Sequence, residues 1–189
     1  MGMLLKPYIQ VFPKVLNLKT VSTIIKVASN LSFGKATIGS GQINEKIRKV
    51  HNYPLSFYNK SLTEVHWCNF LSKKIYDLMN FYLDKNNLIN YYKITNINQI
   101  EILKYAKTFH YDYHIDDGSN WNRTLSSILF LNNDYEGGEL SFKDPLNGEE
   151  ISIKPEPGAI VVWPSNVLFP HTVKPIKNGT RYSVVAWGN

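Results

Sequence analysis

His114 and Asp116 stand two residues apart in the run Phe109-His110-Tyr111-Asp112-Tyr113-His114-Ile115-Asp116-Asp117-Gly118. In an extended strand, residues i and i+2 project to one face, so an imidazole and a carboxylate can point together into a barrel interior and form half of a metal site. His171, in Pro170-His171-Thr172-Val173 at the start of a later strand-like run, is the candidate third ligand. Two His and one carboxylate on one face of an octahedron leave three positions open, which is the ligand set of non-heme Fe(II) oxygenases. The ligand set favours iron, and zinc remains compatible with the same three side chains. A second His-x-Asp, His110 with Asp112, lies in the same run, and a regular strand would align all four side chains. The later pair is preferred because Asp117-Gly118 ends the strand beside it, where a site is reachable. His110 and Asp112 are then set aside by a bulge or by edge exposure, with a part in substrate approach as the alternative.

Ten residues after His171 comes Arg181-Tyr182-Ser183, inside a β-branched and aromatic run. Arg181 and Ser183 share one strand face, and a guanidinium directed inward among apolar neighbours needs an anionic partner. The remote carboxylate of a dicarboxylic cosubstrate fits, held by paired charge-assisted hydrogen bonds with the Ser183 hydroxyl assisting. A structural salt bridge is the alternative. Arg is scarce, three residues (Arg48, Arg123 and Arg181) among 21 Lys+Arg, so each is more informative than a surface lysine. His66 lies among helical residues and reads as a surface or satisfied core side chain. Trp163 and Trp187 read as core aromatics flanking a sheet.

These residues require a frame. Apolar residues at helical spacing mark helices over Leu16–Asn30 and Thr63–Lys85. From about Ile97 onward the chain breaks into short β-type runs: Ile100–Tyr105, Phe109–Ile115, Leu125–Leu131, Glu139–Phe142, Ile151–Ile153, Ala159–Trp163, His171–Val173 and Arg181–Trp187. Turn signals separate them, at Asp117-Gly118, Gly137-Gly138, Asn147-Gly148, Pro157-Gly158 and Asn178-Gly179. Many short strands at near-regular spacing predict an antiparallel sandwich or jelly roll. The fold class is therefore α+β, mainly β, with N-terminal helices buttressing the sheet within one unit.

Composition agrees with that frame. The 189 residues are 43% hydrophobic and 19% charged, with twelve Tyr, nine Phe and four Trp, which supplies a buried core and excludes wholesale disorder, collagen and coiled coil. Cys68, the single cysteine, cannot form an internal disulfide and reads as a small buried hydrophobe in a reducing compartment. The N-terminal MGMLLKPYIQ lacks a leader's sustained apolar stretch, and no apolar run approaches the roughly 18 residues of a membrane span. The expectation is a soluble cytoplasmic protein with no membrane partner. Residues 1–110 carry fifteen Lys+Arg against five Asp+Glu, or +10, whereas residues 111–189 carry six against ten, or −4. The basic part permits nucleic-acid binding, but scarce Arg and the lack of a helix-turn-helix, RNP or KH signature make a nucleic-acid partner unexpected.

Taken in order, the motifs resemble a known family: Tyr111-x-x-His114-x-Asp116; Arg123-Thr124 leading into Leu129-Phe130-Leu131-Asn132; Gly137-Gly138-Glu139-Leu140-x-Phe142; Pro157-Gly158; His171-x-Val173; and Gly179-Thr180-Arg181-Tyr182 to Trp187. This order and spacing is similar to the 2-oxoglutarate- and Fe(II)-dependent oxygenases of the prolyl 4-hydroxylase type, over roughly residues 100–189. The resemblance implies a double-stranded β-helix (jelly-roll) catalytic core at 100–189 and a helical and strand support region at 1–99 of the same domain. It implies Fe(II) on His114, Asp116 and His171, and 2-oxoglutarate held at its far carboxylate by Arg181, with Ser183 and Tyr105 as further cofactor-binding residues. Tyr111 before the second His-x-Asp, at the family spacing, supports that pair over the first. Tyr105 is equally readable as a core tyrosine. Where the family often has Tyr, this chain has Phe130, so a cosubstrate contact is missing or comes from Ser183, Tyr105 or Ser127.

The implied reaction is hydroxylation of a substrate with O2, releasing succinate and CO2, with ascorbate as an accessory reductant. The implied substrate is a peptidyl proline, hence a protein or peptide partner; another protein side chain, a free small molecule or a nucleobase stay open. A non-catalytic jelly-roll binding module is the alternative from another class. The segment around Arg48 and His51 lies near the substrate entrance in the family, which suggests Arg48 or His51 as a substrate contact. Trp121, in the loop after the metal pair, would be a lid aromatic over the substrate.

Overall fold

The computed structural model describes residues 5–59, 61–118 and 122–189. Strands β1 (Gln10–Phe12), β2 (Gly34–Lys35), β3 (Arg48–Lys49) and β4 (His51–Leu55) come from the first part of the chain, with helices α1 (Leu18–Ala28) and α2 (Leu62–Lys85). The second part supplies β5 (Ile97–Tyr105), β6 (His110–His114), β7 (Leu125–Phe130), β8 (Glu136–Gly137) and β9 (Leu140–Lys143). It ends with β10 (Glu150–Ile153), β11 (Ile160–Pro164), β12 (His171–Val173), β13 (Ile176–Asn178) and β14 (Arg181–Gly188).

Seven strands form a major sheet in the order β1-β11-β7-β14-β5-β4-β2, and five form a facing sheet in the order β10-β9-β12-β6-β3. The helices start where the sequence offers caps: Asn17 Oδ1 accepts from Thr20 N at 2.9 Å, and Ser61 Oγ accepts from Glu64 N at 3.4 Å. α1 and α2 cover one face of the major sheet. Their Ile24, Leu71, Ile75 and Met79 share a core with Ile100, Ile102, Leu129, Val162, Val184 and Ala186. The alternating residues Leu103, Ile128, Val161, Val185 and Trp187 face the other way and meet Leu140, Phe142 and Val173 of the smaller sheet. Period-two alternation thus splits each central strand between a helix-covered side and an interior between the sheets.

The expected mainly β architecture with two buttressing helices is present, but the first part does more than buttress. β1, β2 and β4 extend the major sheet and β3 pairs with β6 in the smaller one. These strands have two to five residues, and β4 includes Pro54, so their pairing with β11, β5 and β6 rather than their own propensity makes them strands. Cys68 is 1% exposed and packs in the helix-side core, as read.

Candidate functional site

β6 and β12 run antiparallel with His114 directly opposite His171. Val173, two residues along β12, faces Tyr111, three residues along β6, so β6 carries one extra residue in a β-bulge. The bulge places Tyr111 and His114 on the same face; their rings stack at 3.5 Å between centroids. The aligned strand that would put His110, Asp112, His114 and Asp116 together therefore does not form. Instead His110 lies with its Nε2 3.2 Å from the Lys46 carbonyl oxygen, Asp112 is exposed, and neither lines the cavity at the metal candidates.

His114, Asp116 and His171 offer ligand atoms that all lie within 4.8 Å of one another, and among the described residues they are the group of this kind. Asp116 Oδ1 is 3.7 Å from His114 Nε2, and Oδ2 is 3.4 Å from His171 Nε2. Each imidazole is oriented by its other nitrogen. His114 Nδ1 is 2.8 Å from the Asp112 carbonyl oxygen, and His171 Nδ1 is 3.0 Å from that of Phe169. A carbonyl only accepts, so both Nδ1 atoms carry a proton, and each Nε2 is left facing Asp116 as the atom that would ligate a metal. Burial first, and then the neighbouring His171, press the pKa of His114 down to about 3. Burial opposes an ionised Asp116. His171, His114 and the hydroxyl of Ser126, which donates to Oδ2 at 2.7 Å, outweigh it and hold the carboxyl below its ordinary range. At neutral pH the set is thus an unprotonated His114 and a carboxylate, the forms that bind metal. A further hydrogen bond of 2.8 Å joins Ser126 to Ser165 and fixes the supporting hydroxyl.

The metal candidates line a cavity of about 460 Å³. Tyr105, Ile128, Trp163, Val173 and Val185 line it between the sheets, while Arg48, Gln99, Glu101 and Arg123 give it a polar wall. Arg48 donates to the Thr37 carbonyl at 2.6 Å, lies 3.8 Å from Glu101 and sits over the Tyr111 ring. Arg123 donates to the Asp116 carbonyl oxygen at 3.1 Å and stacks on Trp187 at 3.8 Å. Trp163 and Trp187, expected as packing aromatics, belong to this wall; the Trp163 indole N–H lacks a partner among the described residues, while that of Trp187 makes a loose hydrogen bond to the Asp116 carboxylate that helps keep it ionised. Gln99 and Glu101 escaped the sequence reading, although the alternation Ile100-Glu101-Ile102 marks a residue turned away from the helices.

Arg181 is fully buried, and Nε, Nη1 and Nη2 all lack a well-formed hydrogen bond among the described residues. Its guanidinium lies over the rings of Tyr105 and Phe130, at 5.2 and 4.9 Å. Ser183, on the same strand face, has an equally unpartnered Oγ. An unpaired buried cation is costly, so this end of the interior fits an anionic group, which is what a dicarboxylic cosubstrate brings. Ser127 is unavailable for such a contact because its hydroxyl donates to the Ala186 carbonyl at 3.0 Å. Of the substrate-contact candidates, Arg48 is in the cavity wall, His51 packs edge-on against Phe109 outside it, and Trp121 lies outside the described residues. His66 is exposed and stacks on Phe70.

Comparison with known proteins adds three findings. Residues 100–189 match the 2OG-Fe(II) oxygenase superfamily. A PKHD-type hydroxylase of Prochlorococcus marinus is 36% identical over 122 residues, covering 62% of this chain and 53% of that protein. The chain spans about half the length, or less, of the curated bacterial relatives it matches. Among solved structures, a Pseudomonas putida prolyl-4-hydroxylase superposes with a TM-score of 0.73 at 17% identity, over 96% of this chain and 92% of that one. A Trichoplax adhaerens prolyl hydroxylase, in complex with a peptide fragment of hypoxia inducible factor, gives 0.78 at 17% identity, over 98% and 87%. At these identities the superpositions establish a shared fold, the double-stranded β-helix.

Proposed function

From the match of residues 100–189 to the 2OG-Fe(II) oxygenase superfamily, we propose that the protein is a member of it, an Fe(II)- and 2-oxoglutarate-dependent dioxygenase that hydroxylates a peptidyl proline and releases succinate and CO2. The observation that carries this reading is the pairing, in one interior, of a two-His-one-Asp set with inward Nε2 atoms and a buried arginine that has no carboxylate partner among the described residues. Bound iron, with 2-oxoglutarate and O2, would supply the oxidising power to place one oxygen atom on a substrate C–H bond while the other ends in succinate.

The chain's own residues do the rest. His114, Asp116 and His171 would hold the metal, and the Asp112 and Phe169 carbonyls with Ser126 keep those ligands in orientation. Arg181 would hold the far carboxylate of 2-oxoglutarate, with Ser183 and Tyr105 beside it. Arg48 would contact substrate at the cavity wall, and the interior apolar residues exclude water. Ascorbate serves as an accessory reductant. Residues 1–99 act as support for the core at 100–189 within one unit, because β2, β3 and β4 complete its two sheets.

A peptide substrate is favoured by the prolyl hydroxylase of the same fold that holds a peptide fragment, and by a wall that alternates Arg48, Glu101, Gln99 and Arg123 as donors and acceptors. A hydroxylase of another protein side chain or of a small molecule uses the same machinery. A non-catalytic binding module leaves the metal set and Arg181 without a purpose. No described helix is long and apolar enough to cross a membrane. Anaerobic addition of Fe(II) and then 2-oxoglutarate tests the reading: a visible charge-transfer band is expected, lost in His114→Ala and weakened in Arg181→Ala. Absence of the band in the unaltered protein overturns it. Succinate release with a panel of proline-containing peptides then tests the substrate.

A further inference from the structure

Three buried polar groups that make no well-formed hydrogen bond gather at the Arg181 end of the interior: the guanidinium itself, the Ser183 hydroxyl and the hydroxyl of Tyr135. Tyr135 is 5% exposed and belongs to the core between the sheets. Gly138 shows how close it comes to Arg181. A Cβ placed on that glycine would lie 3.2 Å from Tyr135 Cε2, the ring carbon next to the hydroxyl-bearing one, and 3.5 Å from Arg181 Cδ. The hydroxyl end of the ring and the arginine stem therefore flank the same glycine. Burial raises the pKa of the Tyr135 hydroxyl, and Arg181 opposes it both by its charge and by a loose side-chain hydrogen bond, so the hydroxyl lies within reach of the guanidinium. Tyr105 and Phe130 lie against the guanidinium. What this end lacks is an anion: the two hydroxyls can accept from the guanidinium but cannot neutralise it, and no carboxylate hydrogen-bonds to any of the three groups among the described residues.

We infer that Tyr135 is a cosubstrate-binding residue whose hydroxyl donates to the far carboxylate held by Arg181, supplying the contact that Phe130 cannot make. This rests on the reading of Arg181 as the anchor of 2-oxoglutarate. A carboxylate has two oxygens and about four acceptor positions, so it can take the guanidinium fork and still accept from Tyr135 and Ser183. The ring is also held by Lys154, whose Nζ donates to the Tyr135 carbonyl oxygen at 2.5 Å and lies 4.4 Å from the ring centroid.

The test is anaerobic titration of the Fe(II)-loaded protein with 2-oxoglutarate and with 2-oxopentanoate, which keeps the metal-chelating end and has a methyl group in place of the far carboxylate. A hydrogen bond to a charged group is lost in Tyr135→Phe, so 2-oxoglutarate should bind about 10- to 100-fold more weakly while 2-oxopentanoate binds unchanged. The second ligand also reports that the variant is folded with its metal site intact. Phe130→Tyr added to Tyr135→Phe should restore part of the loss, because that ring lies against the same guanidinium. Equal weakening of both ligands, or none of either, overturns the role of Tyr135 while leaving the proposed function standing. Failure of the unaltered protein to prefer 2-oxoglutarate over 2-oxopentanoate overturns both.

Discussion

On the helix-covered face of the major sheet, Ile100, Ile102, Leu129, Val162, Val184 and Ala186 pack against α1 and α2; one residue along the same strands, the inner face presents Glu101, Tyr105, Ser126, Arg181 and Ser183. The two faces share a backbone and a register and differ only in parity. Of the buried side-chain groups without a well-formed hydrogen bond among the described residues, those of Arg48, Glu101, Tyr135, Trp163, Arg181, Ser183 and Trp187 lie toward the interior, against Gln10, Ser72 and Asn189 elsewhere. Unsatisfied buried polarity destabilises a fold unless a ligand completes it. One face therefore carries stability and the other spends part of it on binding, and mutations on the two faces should differ in sign as well as size.

The strongest way to break the contrast is at the metal set. His171→Ala leaves two of three ligands and should lower Fe(II) or Mn(II) affinity at least 100-fold while metal-free unfolding changes little, as read by metal titration beside a urea melt. On the opposite face, Leu129→Ala should cost about 2–5 kcal/mol of stability in the same melt and leave the metal affinity of the folded protein unchanged. Arg181→Met should go the other way, stabilising the ligand-free protein by about 1–4 kcal/mol while abolishing its stabilisation by added 2-oxoglutarate. Destabilisation by Arg181→Met would show that the guanidinium is already paired. Ser126→Ala removes the hydroxyl that holds Asp116 and should weaken metal binding about 10-fold, with a modest effect on unfolding. His110→Ala, at the rejected pair, should move metal affinity by less than about 0.5 kcal/mol.

The candidate metal ligands and the inward Arg181 are legible in the sequence because type and parity suffice for them: His114-x-Asp116 ends a strand, and an arginine in a β-branched run with its parity inward has few bland explanations. The choice between the two His-x-Asp pairs was legible only in part. Alternation within one strand aligns both, and what separates them is the register against β12, a long-range pairing that a single strand does not encode. The strands of the first part stayed hidden for a related reason, since Arg48–Lys49 and Gly34–Lys35 are extended by virtue of their partners. Trp163 and Trp187 have the sequence setting of packing aromatics, and they do line a core; that this core contains a cavity depends on how the two sheets are spaced. Tyr135 gave no signal in sequence, because it precedes the Gly137-Gly138 turn and its approach to Arg181 is set by chain segments nearly fifty residues apart.

The bulge in β6 also bears on what mutational scanning of this protein would see. Its contribution at Asp112 is a main-chain oxygen accepting from His114 Nδ1, and the Asp112 side chain is exposed. Every amino acid carries that oxygen, so a substitution library would score the position as tolerant. A library of single-residue deletions would read it differently: losing one residue from Asp112-Tyr113 leaves alternation to put Tyr111 and His114 inward as before, but the carbonyl two residues before His114 becomes that of Tyr111, which already accepts from Thr172, so the acceptor that sets which imidazole nitrogen faces Asp116 is displaced. At this position the geometry depends on chain length rather than on residue identity.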